Sequence, residues 1–399
     1  MSAGRWDRAF QDLATWLADG VRQCLGGERT RFRCFRLLDP SADGIAAAAG
    51  RDGTLYVPAS LVDQLGALWT SPGRRLDART LGICAASIAT LVHEAIHHVV
   101  RGEDETQARS GTPPFTTKLL EEGTTEAATR RVLPHALRVL EPVAPGIGSV
   151  QVDRRHHYPN YVPAVHQLLS SLQRLPGVRE RDLLRELARV SPDAKLPLLA
   201  EQAIDGFGLR ERVPRADLDA CRARIEMGMA NLFERNRDWA EPPDPAYPAV
   251  LRTSDGRGRS TIMGMQAAME MEWLLHLEAE RAGMALPDNW RVDLADREVD
   301  LAKKVAKASR RRHSETRRAA DAWHAEAADN ARAAKYLARP VHGPPSRSGF
   351  EPSTPACESS TTRHDARMQA WLAFAPRRHA LRRLSDSSSA EPWMRGRTT

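Results

Sequence analysis

The chain has 399 residues, 42% of them hydrophobic and 6% aromatic, with a formal net charge of +7. That length suits two domains, or one domain with extensions, and the apolar content is enough for a real core. Five cysteines (Cys24, Cys34, Cys84, Cys221 and Cys357) are odd in number, scattered and without a Cys-x-x-Cys pair. This argues against a disulfide framework and against cysteine ligation of a metal. The N-terminus lacks the apolar core of a signal peptide, and no run of about 18 apolar residues is evident, so no membrane span is expected. A cytoplasmic protein is expected, with signal-free export left open.

In chain order, residues 5–25 place Trp6, Phe10, Leu13, Trp16, Leu17 and Val21 at helical spacing. Residues 31–38 alternate and suggest a strand. Residues 46–50 are small and Gly-bounded. Residues 54–57 form a second strand candidate, closed by Pro58 in a way that suits an edge. A helix is expected over 59–69. The next helix carries Ile83, Ile88, Leu91, Val92, Ala95, Ile96, Val99 and Val100 at helical spacing. Asp77 or Thr80 is its candidate cap and Gly102 its stop.

This helix contains His93-Glu94-Ala95-Ile96-His97. Residues four apart lie one above the other on a helix, so His93 and His97 aim two imidazoles at one point. Neutral imidazole is a good zinc ligand. Glu94, one residue round from His93, is placed to act as a base without ligating the metal. Two histidines on an apolar seam are costly unless something satisfies them.

A catalytic zinc usually takes three protein ligands and keeps one open position. No third histidine follows closely after His97. The next candidate helix, residues 118–129, carries Glu121, Glu122 and Glu126, with Thr116 or Thr117 as cap and Pro134 expected to end or kink it. Glu122 and Glu126 share a face, whereas Glu121 points about a quarter-turn away.

The pairing of His-Glu-x-x-His with Glu122-Gly123 resembles the gluzincin zinc metallopeptidases, and Glu122-Gly-Thr-Thr-Glu126 is similar to a run in bacterial zincin-like domains. The resemblance covers about residues 50 to 170, and the gap from His97 to Glu122 is longer than in the best-known gluzincins. It implies Glu122 as third ligand and Glu126 as an acid holding a ligand histidine. It also implies an edge strand, here residues 54–57, that pairs with extended substrate. Gluzincins place a Tyr or His where oxyanion charge develops. Tyr158, Tyr161, His157 and His166 in and after the His156-His157-Tyr158 run are the candidates, Tyr158 first.

Beyond lie helical patterns over 162–175, 179–190, 196–206 and 216–237, a Pro-rich break at 241–248, and a Met- and Leu-rich helix over 261–283. Residues 297–338 are helical by propensity and carry Lys303, Lys304, Lys307 and Arg310–His313. No DNA-binding motif accompanies these charges, and a solvated face is favoured. Residues 339–399 are rich in Ser, Pro, Arg and Gly, and disorder is expected.

The expected fold is α+β and predominantly helical: a zincin-like core over 1–240, a helical extension over 249–338 and the tail. The expected activity is zinc-dependent peptide hydrolysis, with His93, His97 and Glu122 as ligands, Glu94 as base, Tyr158 as oxyanion donor and Glu126 behind the ligands. The expected partner is a protein or peptide substrate. The alternatives are a non-catalytic zinc-stabilised scaffold and a basic protein that binds nucleic acid or an anionic surface.

Overall fold

The computed structural model describes residues 3–38, 47–50, 52–70, 72–100, 112–154, 157–240, 249–310 and 314–338. The expected stop at Gly102, the break at 241–248 and the tail at 339–399 lie outside the described residues, as do Cys357, His156 and the side chain of Trp6. The protein is predominantly helical with a small three-stranded sheet, an α+β arrangement.

Helix α1 (Ala3–Leu25) buries Phe10, Leu13, Ala14, Leu17 and Val21 on one stripe, while Trp16 stays 38% exposed. Strand β1 (Arg29–Thr30) is followed by β2 (Cys34–Leu37), β3 (Ala48–Ala49) and β4 (Thr54–Val57). The sheet order is β2-β4-β3: β2 and β4 run parallel and β3 lies antiparallel to β4, with Ala49 opposite Leu55. Residues 54–57 are therefore the central strand, which corrects the expectation of an edge. Pro58 falls just after the last ladder pair and costs the sheet nothing. The edge beside the later helices is β3.

Helix α2 (Ala59–Thr70) leads to α3 (Ala78–His97), whose N-cap is Asp77, accepting from the Thr80 N–H at 2.9 Å. By length and hydropathy alone α3 would suffice to cross a membrane, but most of it is buried inside this fold. It ends sooner than its apolar spacing suggests. Val99–Val100 form β5, antiparallel to β1, because two β-branched residues gain a strand partner there. Ile83, expected on the apolar face, is 40% exposed.

Helix α4 (Pro114–Val139) starts with Pro at N1, and neither Thr116 nor Thr117 is its N-cap. The Thr116 N–H and hydroxyl both donate to Glu234 Oε1, at 2.9 and 3.0 Å, so a distant carboxylate satisfies this first turn. The helix also runs through Pro134. Leu133, Ala136 and Leu137 on either side are buried, and that packing outweighs the lost hydrogen bond.

After α4 come α5 (Val162–Leu172), α6 (Glu180–Leu187), α7 (Lys195–Gly206), α8 (Leu218–Arg235), α9 (Arg237–Ala240), α10 (Ala249–Arg281), α11 (Trp290–Ser309) and α12 (Ser314–Ala338). Two apolar clusters fill the interior. One gathers α1, β4, α2, α3 and the second half of α4; the other gathers the start of α4 with α5, α6, α7, α8 and α10. Between Leu120 and Ala128, α4 passes from one cluster to the other. That stretch carries Glu121, Glu122 and Glu126.

The chain divides into units 1–331 and 332–399. The helical extension expected from residue 249 thus lies within the first unit as far as 331, with α10 packed on α5 and α8. Helix α10 begins at Ala249 rather than near Thr261. Its Gly264 sits where a Cβ would lie 2.5 Å from the Ala164 carbonyl oxygen, so a residue that reads as a helix breaker permits close helix packing here. Lys303, Lys304 and Lys307 are exposed on α11.

Candidate metal centre

The site lies where α3 faces α4. His93 Nε2 and His97 Nε2 stand 3.3 Å apart, and Glu122 Oε2 stands 3.3 Å from the first and 3.9 Å from the second. Two donors bonded to zinc at about 2.0–2.1 Å with tetrahedral geometry stand about 3.3 Å apart. Among the described residues, this trio brings three potential ligand atoms within 4.8 Å of one another. Two imidazoles and one carboxylate are also a donor set that suits zinc.

Each histidine is held from behind. His93 Nδ1 is 3.2 Å from Glu126 Oε2, and His97 Nδ1 is 2.5 Å from Glu121 Oε1. A carboxylate on Nδ1 leaves Nε2 to face the centre. Glu126 is fully buried and takes the Arg154 guanidinium, with Nε 2.9 Å from Oε1 and Nη2 2.5 Å from Oε2, and Arg130 Nε at 3.2 Å. Burial raises the pKa of Glu126, but Arg154 and His93 outweigh it and hold its carboxyl at about 2. Glu121 is likewise pushed up by burial but held at about 2 by Lys195 and His97. Both carboxylates therefore stay ionised.

Burial works against a charge on His93, yet its hydrogen bonds to Glu122 and Glu126, with the nearby Glu94, keep its pKa up at about 9. A metal arriving at Nε2 must displace that proton. Glu94 is 7% exposed, and burial raises its pKa against the pull of His97 and His93. Its carboxylate lies near the Ala49 backbone, where β3 runs beside α3.

Tyr158 stacks on His93, with ring centroids 4.9 Å apart and planes 1° from parallel. Its hydroxyl lies near Glu122, and its pKa is pushed well up, first by burial and then by the charges of Glu122 and Glu94. It stays protonated and able to donate. Its φ of 49° is left-handed, a conformation that costs a bulky residue about 1–3 kcal/mol. Of the other candidates, Tyr161 has its ring 6.1 Å from that of Tyr158 and His157 lies near Glu126 and His93, whereas His166 is away from the site. Tyr161 packs against Phe115, the His157 carbonyl accepts from Arg130, and His166 is largely exposed beside Glu180.

Sequence reasoning thus named the residues that meet here: His93, His97, Glu122, Glu126, Glu94 and Tyr158. It missed Glu121 as a partner of His97, and it missed Arg154 and Lys195 altogether. No pattern marks those cations, because they come from segments far along the chain. Comparison with protein-family models, curated proteins and solved structures returns no match.

Proposed function

We propose that the chain is a zinc-dependent peptidase built on a zincin-like core. The observation that supports this most is the convergence of His93 Nε2, His97 Nε2 and Glu122 Oε2, with Glu94 next to it and the β3 edge close by. A zinc ion held by those three residues would polarise a scissile carbonyl and lower the pKa of water towards neutrality. Glu94 takes the proton of the attacking water and returns it to the leaving amine; a carboxyl whose burial raises its pKa suits both roles. Tyr158, protonated and beside Glu122, donates towards the oxygen on which negative charge develops. Among the described residues β3 has no strand partner on the side away from β4, where an extended peptide would pair.

A second reading has one observation in its favour. Glu94 is only 7% exposed, as expected if the centre were closed and the ion merely tied α3 to α4. One experiment separates the two. Purified chain is incubated with an unfolded protein substrate, before and after chelation and zinc restoration. Cleavage that disappears and returns supports the peptidase; zinc bound at one per chain without cleavage supports the closed centre.

A further inference from the structure

Lys195 opens α7, yet it is 1% exposed. Lysine is almost never buried so completely unless it is paired. Its ammonium donates to the Leu187 carbonyl at the end of α6 and forms an ion pair with Glu121 Oε2 at 3.1 Å. The other oxygen of the same carboxylate, Oε1, holds His97 Nδ1. The arrangement repeats the one at His93, where Glu126 is backed by the buried Arg154. A buried ion pair adds little net stability over a well-packed apolar pair of similar size, so stability alone does not account for a lysine and a glutamate placed together behind His97. Its position is also fixed, since Leu196, Leu199, Ala200, Ala203 and Ile204 lock α7 into the second apolar cluster.

We infer that Lys195 is a positioning residue of the metal centre: it orients His97 through Glu121, and it thereby couples the docking of α7 to occupation of the centre. The inference rests on the metal-binding reading of His93, His97 and Glu122. Its chemistry is electrostatic. The ammonium fixes the Glu121 carboxylate, the carboxylate fixes the tautomer and rotation of His97, and Nε2 is left facing the ligand position. Linkage then requires that whatever loosens α7 weakens metal binding, and that metal binding tightens α7.

The test uses full-length protein and zinc, with affinity read by chelator competition. Lys195→Met is expected to bind zinc roughly 10- to 100-fold more weakly than wild type, the usual effect of losing such an outer partner. Glu121→Gln is expected to fall in the same range, and it carries the test if Lys195→Met does not fold. Because the two residues act along one path, the double variant should be little worse than the weaker single variant. In wild type, zinc should also slow amide exchange in α7, an effect that Lys195→Met should diminish. Zinc affinity within twofold of wild type in a folded Lys195→Met, or in Glu121→Gln, or losses that simply multiply in the double variant, would overturn the role of Lys195. Failure of wild type to bind zinc would instead remove the centre itself, so the two failures are distinguishable.

Discussion

Gly264→Ala tests the packing that places α5, and with it the segment leading from Tyr158, against the rest of the fold. A Cβ at this position would lie 2.5 Å from the Ala164 carbonyl oxygen, 2.6 Å from its Cα and 2.9 Å from its carbonyl carbon. All three are backbone atoms, and Ala164 is pinned further by its N–H donating to Ser260 Oγ at 3.0 Å. No side-chain rotation can make room, so the two helices must separate. Overpacking of this kind costs about 1–3 kcal/mol, and a backbone clash belongs at the upper end. Alanine regains about 1 kcal/mol in helix propensity, leaving a net loss of about 2 kcal/mol. For the unit of residues 1–331, an unfolding entropy of about 2.1 cal/mol/K per residue makes that loss roughly 3 °C in Tm. Gly20→Ala is the matched control, since a Cβ there meets nothing within 4 Å. It should raise Tm by about 1–2 °C. Thermal melts followed by circular dichroism measure both. A Gly264→Ala protein as stable as wild type or more so, beside a stabilised Gly20→Ala, would refute the steric argument.

Other expectations follow from the polar interior. Arg154→Met leaves the fully buried Glu126 with Arg130 as its remaining guanidinium partner, and should cost about 3 kcal/mol as well as weakening zinc retention; denaturant melts and chelator competition measure the two effects. Glu298 accepts from Trp273 Nε1 at 3.1 Å and Trp323 Nε1 at 3.3 Å, and burial raises its pKa. A carboxyl raised in the folded state binds its proton more tightly there, so its contribution to stability is present below the unfolded pKa and is lost as pH rises through the folded one. Removing the titration with Glu298→Gln should therefore give a Tm that gains on wild type as pH rises from about 4.3, the ordinary Glu value. A difference that stays flat or shrinks over that range contradicts the assignment.

Much of the site was legible because its ligands lie on two short helical segments, where spacing alone sets their direction. His93 and His97 share a face of α3, and Glu122 and Glu126 share a face of α4. What reaches the site from far along the chain was not legible. Arg154 and Lys195 are ordinary cations in sequence and gain meaning only when tertiary packing buries them. The edge strand was misplaced for a related reason. Thr54-Leu-Tyr-Val57 has the stronger strand composition, while Ala48–Ala49 has almost none and is a strand only because β4 pairs with it. Helix α10 was read too short because Gly256 and Gly258, just before Thr261, look like punctuation, whereas they mark close approaches to Asn160 and Thr316, as Gly264 does to Ala164. Pro134 misled in the same way: a local rule yielded to the burial of its neighbours.

The most direct test of the account compares wild type with Glu94→Gln at equal zinc occupancy, counting new peptide N-termini released from a diverse peptide library by mass spectrometry. The account predicts one zinc per chain in both proteins, cleavage by wild type, and a loss of at least about a hundredfold in the variant, the scale of a removed general base. Equal cleavage by the two proteins, or zinc bound by both with no cleavage by wild type, would contradict it.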